Sequence, residues 1–282
     1  MQRKVKNECT ESAPWTLRRG DCLNVLGDVE PASIDLVYLD PPFNSGLRRQ
    51  GRKGLTFDDR FVDVAAYREF IGPRLIQAHR VLRSTGSILV HVDWRTSHHV
   101  RFLLDEIFGA ENFVNHLIWS YGLGGSGPRS FARKHDDIFL YGRSPDYWFE
   151  PPLVPAKSVR LRGRMKKATD VIDIPSINNM AIERTGWPTQ KPIALLNMLV
   201  TACCPPGGTV LDPTCGSGTT LVAAIQSGRR AIGIDMSDEA LGIAQQRLER
   251  TTSLLAIKDP MPRVARARRS GPQENAPLAQ SA

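Results

Sequence analysis

Four strand-like runs in this chain end on or beside an aspartate, and helical stretches separate them. Trp15–Arg19 runs into Gly20-Asp21, Ile34–Leu39 into Asp40, Val210-Leu211 into Asp212, and Ala231-Ile232-Gly233-Ile234 into Asp235. Short apolar runs bounded by turn residues read as strands, and longer periodic stretches as helices. Helices are expected over Val64–Arg83, Thr96–Phe108, Lys191–Cys203, Thr219–Ser227 and Asp238–Arg250, with further strands at Ser87–Val92 and Ile138–Tyr141. Such alternation argues a doubly wound α/β sheet, in which ligands bind at the carboxyl ends of the strands. Four carboxylates at those ends are more than capping requires.

The most specific of these ends is Asp40-Pro41-Pro42-Phe43. Both prolines fix φ and lack an N–H, so the turn is stiff and its carbonyls point one way. A carboxylate and a proline carbonyl can together accept the two N–H hydrogens of an exocyclic amine, while Phe43 stacks on the ring that bears it. The amines of adenine and cytosine are poor nucleophiles because the nitrogen lone pair is delocalised. Two acceptors draw that nitrogen towards tetrahedral geometry and favour attack on a methyl donor.

A second constellation lies near the other end, at Val210-Leu211-Asp212-Pro213-Thr214-Cys215-Gly216-Ser217-Gly218-Thr219-Thr220. Here a β-branched run leads into a glycine turn and then a helix, a unit in which the backbone can approach a ligand closely. It is neither Gly-x-Gly-x-x-Gly nor a phosphate loop. An acid at the strand end suits a cationic or hydroxyl-bearing ligand better than a pyrophosphate. Asp235 follows about 20 residues on, the separation at which a carboxylate takes ribose hydroxyls.

Together these residues resemble the S-adenosylmethionine-dependent amino-methyltransferases of DNA. The Asp-Pro-Pro-Phe half comes first and the glycine half last, an order similar to the β-class of that family. Gly186-Trp187-Pro188-Thr189-Gln190-Lys191-Pro192 resembles the family's Thr-Gln-Lys-Pro segment, and Gly86–Asp93, Ile107-Phe108-Gly109 and Glu111-Asn112-Phe113 are typical of it as well. The resemblance covers roughly residues 15–250. It implies a mostly parallel Rossmann-like methyltransferase sheet with circularly permuted motifs and a small target-recognition insert. It also implies S-adenosylmethionine as cofactor, held by Asp21, Cys22, Thr189, Gln190, Lys191, Asp212, Pro213, Thr214, Gly216, Ser217, Gly218, Thr219 and Asp235, with Asp40, Pro41, Pro42 and Phe43 as the catalytic group. In many relatives an aromatic stands where this chain has Thr214, which leaves the strength of cofactor binding open.

Charge and composition divide the chain further. The net charge is +8, and 282 residues suffice for one large core or a core plus a small insert. Arg48, Arg49, Arg52 and Lys53 follow the catalytic turn, and Lys157, Arg160, Arg162, Arg164, Lys166 and Lys167 crowd the middle, two footprints suited to DNA phosphates. The organisation expected is a loose terminus over 1–13, a catalytic half over 14–120, a recognition insert over 121–185, a cofactor half over 186–250 and a disordered basic tail over 251–282. Phe131–Asp137 matches a segment that closes the base pocket in relatives, with His135 as a base contact. The five cysteines lack metal-ligand spacing, so neither zinc nor a disulfide framework is expected. Without a signal peptide or long apolar span, a cytoplasmic location is expected.

The expected reaction is methylation of adenine N6 in double-stranded DNA, because Asp at the first motif position accompanies adenine in the resembled family. Cytosine N4 satisfies the same geometry. A catalytically silent DNA-binding subunit, or an RNA or protein-amide methyltransferase, are the alternatives from other classes. A homodimer and a cognate restriction enzyme remain open as partners.

Overall fold

A computed structural model describes residues 13–50, 56–122, 127–156, 160, 162–178 and 180–258. The readings made for 1–12 and 259–282, and for Arg52, Lys53 and Lys157, fall outside these residues. In chain order the elements are β1 (Trp15–Arg19), α1 (Cys22–Gly27), β2 (Ile34–Leu39), β3 (Leu47–Gln50), β4 (Thr56–Asp59), α2 (Val64–Val81), β5 (Leu82–Val92), α3 (Ser97–Phe108), β6 (Phe113–Ser120) and β7 (His135–Gly142). Then follow β8 (Leu153–Pro155), β9 (Met165–Lys167), β10 (Val171–Asp173), α4 (Ile193–Cys203), β11 (Thr209–Asp212), α5 (Thr219–Gln226), β12 (Arg230–Asp235) and α6 (Asp238–Lys258).

Eight strands form one sheet in the order β1-β12-β11-β2-β5-β7-β6-β10. From β1 to β5 every pairing is parallel, and β7 alone runs antiparallel to its neighbours. The two ends of the chain meet where β11 pairs with β2, Val210 opposite Leu36 and Leu211 opposite Val37. All six residues of β2 are buried, as a strand covered on both faces must be. Alternation then sorts its side chains: Val37 and Leu39 join Leu26, Ile71, Leu75 and Leu104 beneath α1–α3, whereas Leu36 and Tyr38 join Leu195, Leu199, Val222 and Leu248 beneath α4–α6. Each such fully buried aliphatic side chain contributes about 1.5–3 kcal/mol.

Two expected boundaries change. The stretch 121–185 is not wholly an insert, because β7 lies inside the main sheet between β5 and β6. Its run Ile138-Phe139-Leu140-Tyr141 is apolar at every position, and only a sheet interior covers both faces of such a strand. Outside the sheet there remain the loops and the hairpin β8–β9. At the other end the chain does not turn loose at Thr251. Helix α6 continues to Lys258, with Thr251 buried and Trp15 Nε1 donating to Thr252 Oγ1 at 3.3 Å. The sequence reading also missed α1, which Asp21 caps by accepting from Leu23 N at 2.8 Å, and the hairpin β3–β4.

Close packing of α5 on the sheet requires a glycine in β12. A Cβ on Gly233 would lie 2.4 Å from Leu221 Cδ1 and 3.0 Å from Cys215 Sγ, and Leu221 is fully buried. Gly233→Ala is therefore expected to cost about 1–3 kcal/mol, as overpacking does, and to lower the midpoint of urea unfolding.

Candidate functional site

Six neighbouring strands bring an aspartate to the same edge of the sheet. Read across the order β1-β12-β11-β2-β5-β7, these are Asp21, Asp235, Asp212, Asp40, Asp93 and Asp136. The first five stand at carboxyl ends; Asp136 reaches that edge because β7 is antiparallel and presents its amino end there. They line one cavity of about 890 Å³ together with Phe43, Trp119, Tyr121, Trp187 and the glycine turn after β11. A volume of that size lies within the range of small-molecule sites.

Asp40 is held by two residues from the later half of the chain. Lys191 Nζ donates to its Oδ2, and Thr214 Oγ1 donates to its backbone oxygen at 3.1 Å. Among the described residues no donor reaches the remaining oxygen, Oδ1. Behind the turn, Asn44 takes a φ of +55°, a conformation asparagine tolerates better than most residues. Buried Asp59 fixes it by accepting from Asn44 N at 2.7 Å and Ser45 N at 3.2 Å, while Phe61 N donates to Asn44 Oδ1 at 3.1 Å. Phe43 is therefore set in place, with its ring 5.8 Å from the His91 ring and 5.1 Å from Lys191 Nζ.

Beneath Phe43 lies a buried polar chain. His91 is fully enclosed; its Nδ1 shares a 2.7 Å hydrogen bond with Tyr38 Oη, and its Nε2 lies 3.2 Å from Asp136 Oδ2. A carboxylate only accepts, so the tautomer that satisfies both contacts carries its hydrogen on Nε2 and accepts from Tyr38. Burial pushes the Asp136 carboxyl up, but the His91 hydrogen bond and the nearby Lys191 charge outweigh it and hold it below the usual value. Trp119 packs edge-on against His91 at 5.5 Å and is anchored by Nε1 donating to Ile174 O at 2.7 Å.

The glycine turn makes the opposite wall. Gly216 has a φ of +49°, and a Cβ there would meet Trp187 Nε1 at 2.9 Å. Asp235 accepts from Gly216 N at 2.8 Å and from Ser237 N at 2.9 Å; burial nevertheless raises its pKa. Asp212 is wholly enclosed, and burial pushes its carboxyl up to about 7 despite hydrogen bonds from Thr220 and Thr214 N. Arg247, on α6, donates to Ser217 O at 2.6 Å and Thr219 Oγ1 at 3.0 Å and so locks the turn from behind.

The expected residues divide accordingly. Asp21, Cys22, Asp40 to Phe43, Thr189 to Lys191, Asp212 to Thr214, Gly216, Ser217, Thr219 and Asp235 line the cavity. Gly218 does not; it opens α5 with a left-handed φ of +75°. Lys191 reaches Asp40 rather than the glycine wall. Gln190 spends its amide on the preceding loop, accepting from Thr185 N at 2.8 Å and donating to Glu183 O at 2.7 Å. His135 is exposed and lies off the cavity wall, since strand alternation turns Asp136 inward in its place. Arg160, Arg162, Arg164, Lys166 and Lys167 are exposed on and around the hairpin β8–β9, and Arg48 and Arg49 lie on β3. Missed from the sequence were Arg74, which donates to Asp21 at 2.7 Å, and His91, Asp93, Trp119, Asp136 and Arg247. For Asp93 the signal was present, an acid straight after an apolar strand.

Comparison with known proteins agrees with this geometry. The family of N6/N4 DNA methylases matches residues 34–246. Type II methyltransferase M.ScaI of Streptomyces caespitosus is 27% identical over 261 residues, covering 85% of this chain and 83% of that protein. DNA adenine methyltransferase YhdJ of Escherichia coli K12 is 28% identical over 251 residues, covering 83% and 82%. Among solved structures, the cytosine-N4-specific PvuII DNA methyltransferase aligns with a TM-score of 0.62 at 15% identity, over 85% of this chain and 90% of its own. With its strand-edge carboxylates and glycine turn in one cavity, and with the family match spanning most of its length, the chain belongs to the N6/N4 family of DNA methylases.

Proposed function

We propose that this DNA methylase acts on the N6 amine of an adenine turned out of the duplex, with Asp40, Pro41 and Phe43 gripping the base. The carrying observation is the state of Asp40: it lines the cavity beside Phe43 with one carboxylate oxygen bound by Lys191, and among the described residues the other has no donor. A paired amine is inaccessible inside a helix, so the base must leave the stack at a cost of a few kcal/mol. Phe43, stiffened by two prolines and backed by His91, gives its ring a stacking surface that offsets part of that cost.

S-adenosylmethionine is the family's cofactor, and when bound it supplies an electrophilic methyl on a sulfonium that leaves as a neutral thioether. The donor set fits it. A cationic ligand with a ribose finds an acidic wall, Asp235 for hydroxyls and Asp212 in reach of positive charge. With that cofactor bound, Asp40 Oδ1 and the Pro41 carbonyl would hold the amine towards its methyl, and holding the two reactants so would supply much of the rate. The amine becomes acidic once methylated, and its proton then leaves, so Asp40 need not act as a full general base. Lys191 fixes the rotamer of Asp40 as a positioning residue.

Adenine is favoured over cytosine by the Asp at the head of the motif and by the likeness to an adenine methyltransferase across most of the chain. The likeness in fold to a cytosine-N4 enzyme keeps that base as the second reading. The exposed basic hairpin β8–β9 is the part of the former insert best suited to meet DNA. A homodimer and a restriction partner are further readings that relatives of the type II class make worth testing.

Methyl transfer to unmethylated genomic DNA, digested to nucleosides and resolved by mass spectrometry, is expected to give N6-methyladenine. N4-methylcytosine would correct the base, and modified RNA alone would overturn the substrate. Asp40→Ala is expected to abolish turnover and spare cofactor binding, whereas Asp212→Ala loses binding; equal loss of binding in both would refute that division. The raised pKa of Asp212 has a definite sign. Between the ordinary carboxyl value and about 7 the folded state binds the proton that the unfolded state has released. Ligand-free stability should therefore fall as pH rises through that window, flattening in Asp212→Asn, while affinity for the cationic cofactor rises towards pH 8. Urea titrations and calorimetry across that range check both.

A further inference from the structure

The cavity is acidic, yet its substrate is a polyanion. Seven aspartates line it, Asp21, Asp40, Asp59, Asp93, Asp136, Asp212 and Asp235, against four cations: Arg74, Arg95, Arg133 and Lys191. Three of those cations are already engaged by carboxylates. Arg74 pairs with Asp21, Lys191 with Asp40 and Arg95 with Asp93. Among the described residues Arg133 has no carboxylate partner. Its guanidinium rests on the ring of Trp94, 4.0 Å from the centroid, and its side chain is exposed. Trp94 is itself 44% exposed, although the part of β5 that leads to it, Gly86 to Val92, is buried, and the engaged Arg95 flanks the same ring at 4.8 Å.

Among the described residues no ion pair accounts for placing Arg133 on this half-exposed ring. The placement does solve an electrostatic problem. A nucleotide cannot enter the cavity without its phosphates passing a wall of negative charge, and the repulsion is strongest where water is excluded. A cation on the exposed side, held 4.0 Å from the centroid of an aromatic ring, meets that need. An arginine over an indole keeps its donors free at its edge while its plane is covered.

We propose that Arg133, steadied on the ring of Trp94, takes a backbone phosphate of the DNA strand that carries the target base and holds that strand over the cavity. The assignment rests on DNA being the substrate and holds equally for adenine or cytosine. Arg133 acts here as a binding residue, and Trp94 as a positioning residue that presents it.

Binding of a short labelled duplex is measured against salt concentration for the unaltered chain, R133A, R133K, W94A and W94F, with S-adenosylhomocysteine present. Loss of one phosphate contact lowers the slope of log Kobs against log salt by about one. R133A is expected to show that loss and a higher KM for DNA, with unchanged affinity for S-adenosylmethionine; R133K restores the slope. W94A keeps the slope, since the charge remains, but raises the KM for DNA, and W94F behaves as the unaltered chain. An R133A chain with the original slope and KM overturns the proposal. So does one that loses cofactor affinity in parallel, because the residue would then be structural. An unaltered chain that binds no duplex overturns the DNA substrate itself, a failure distinct from that of Arg133.

Discussion

The site depends on one parallel pairing, that of β11 with β2. It joins strands more than 170 residues apart and sets Val210 against Leu36 and Leu211 against Val37. That register sets Asp212 level with Tyr38, so Asp40 emerges just beyond it at the same edge, near enough for its charge to act on Asp212. The Thr214 hydroxyl then reaches the Asp40 backbone oxygen, and the segment before α4 delivers Lys191 to its carboxylate. Without that pairing the Asp-Pro-Pro-Phe turn and the glycine turn would be two unrelated loops.

Crowding carboxylates at one sheet edge is costly unless each has a hydrogen-bond partner, and here each solves the problem differently. Asp21 takes Arg74 and caps α1; Asp235 takes two backbone N–H groups; Asp136 takes the His91 ring. Asp212 is held by a hydroxyl and one amide, and burial raises its pKa despite them, as it does that of Asp235. An edge left electrically unbalanced in this way is better suited to a cationic methyl donor than to an anion, and it makes the approach of DNA a matter for cations placed outside the wall.

Much of the site was legible because its chemistry is local. Asp-Pro-Pro-Phe is stiff through its own prolines, and the glycine turn follows its strand within a few residues, so both motifs keep their meaning before any tertiary contact forms. His91, Asp136, Arg74 and Arg247 were not legible, because each acts on a partner at least 30 residues away. His135 was chosen over Asp136 because side-chain direction in β7 depends on strand register, and a slip of one residue exchanges the faces.

The sequence by itself determined the strand and helix types, the doubly wound class and the two motifs that line the cavity, since periodicity and turn residues act through neighbours. The tertiary structure alone decided that β7 belongs in the sheet, antiparallel, with Asp136 at the shared edge. It also decided that Lys191 meets Asp40, and that α6 runs on to pack against β1. Those outcomes turn on which buried faces meet, and burial is settled by the whole chain closing around one sheet rather than by any segment of it.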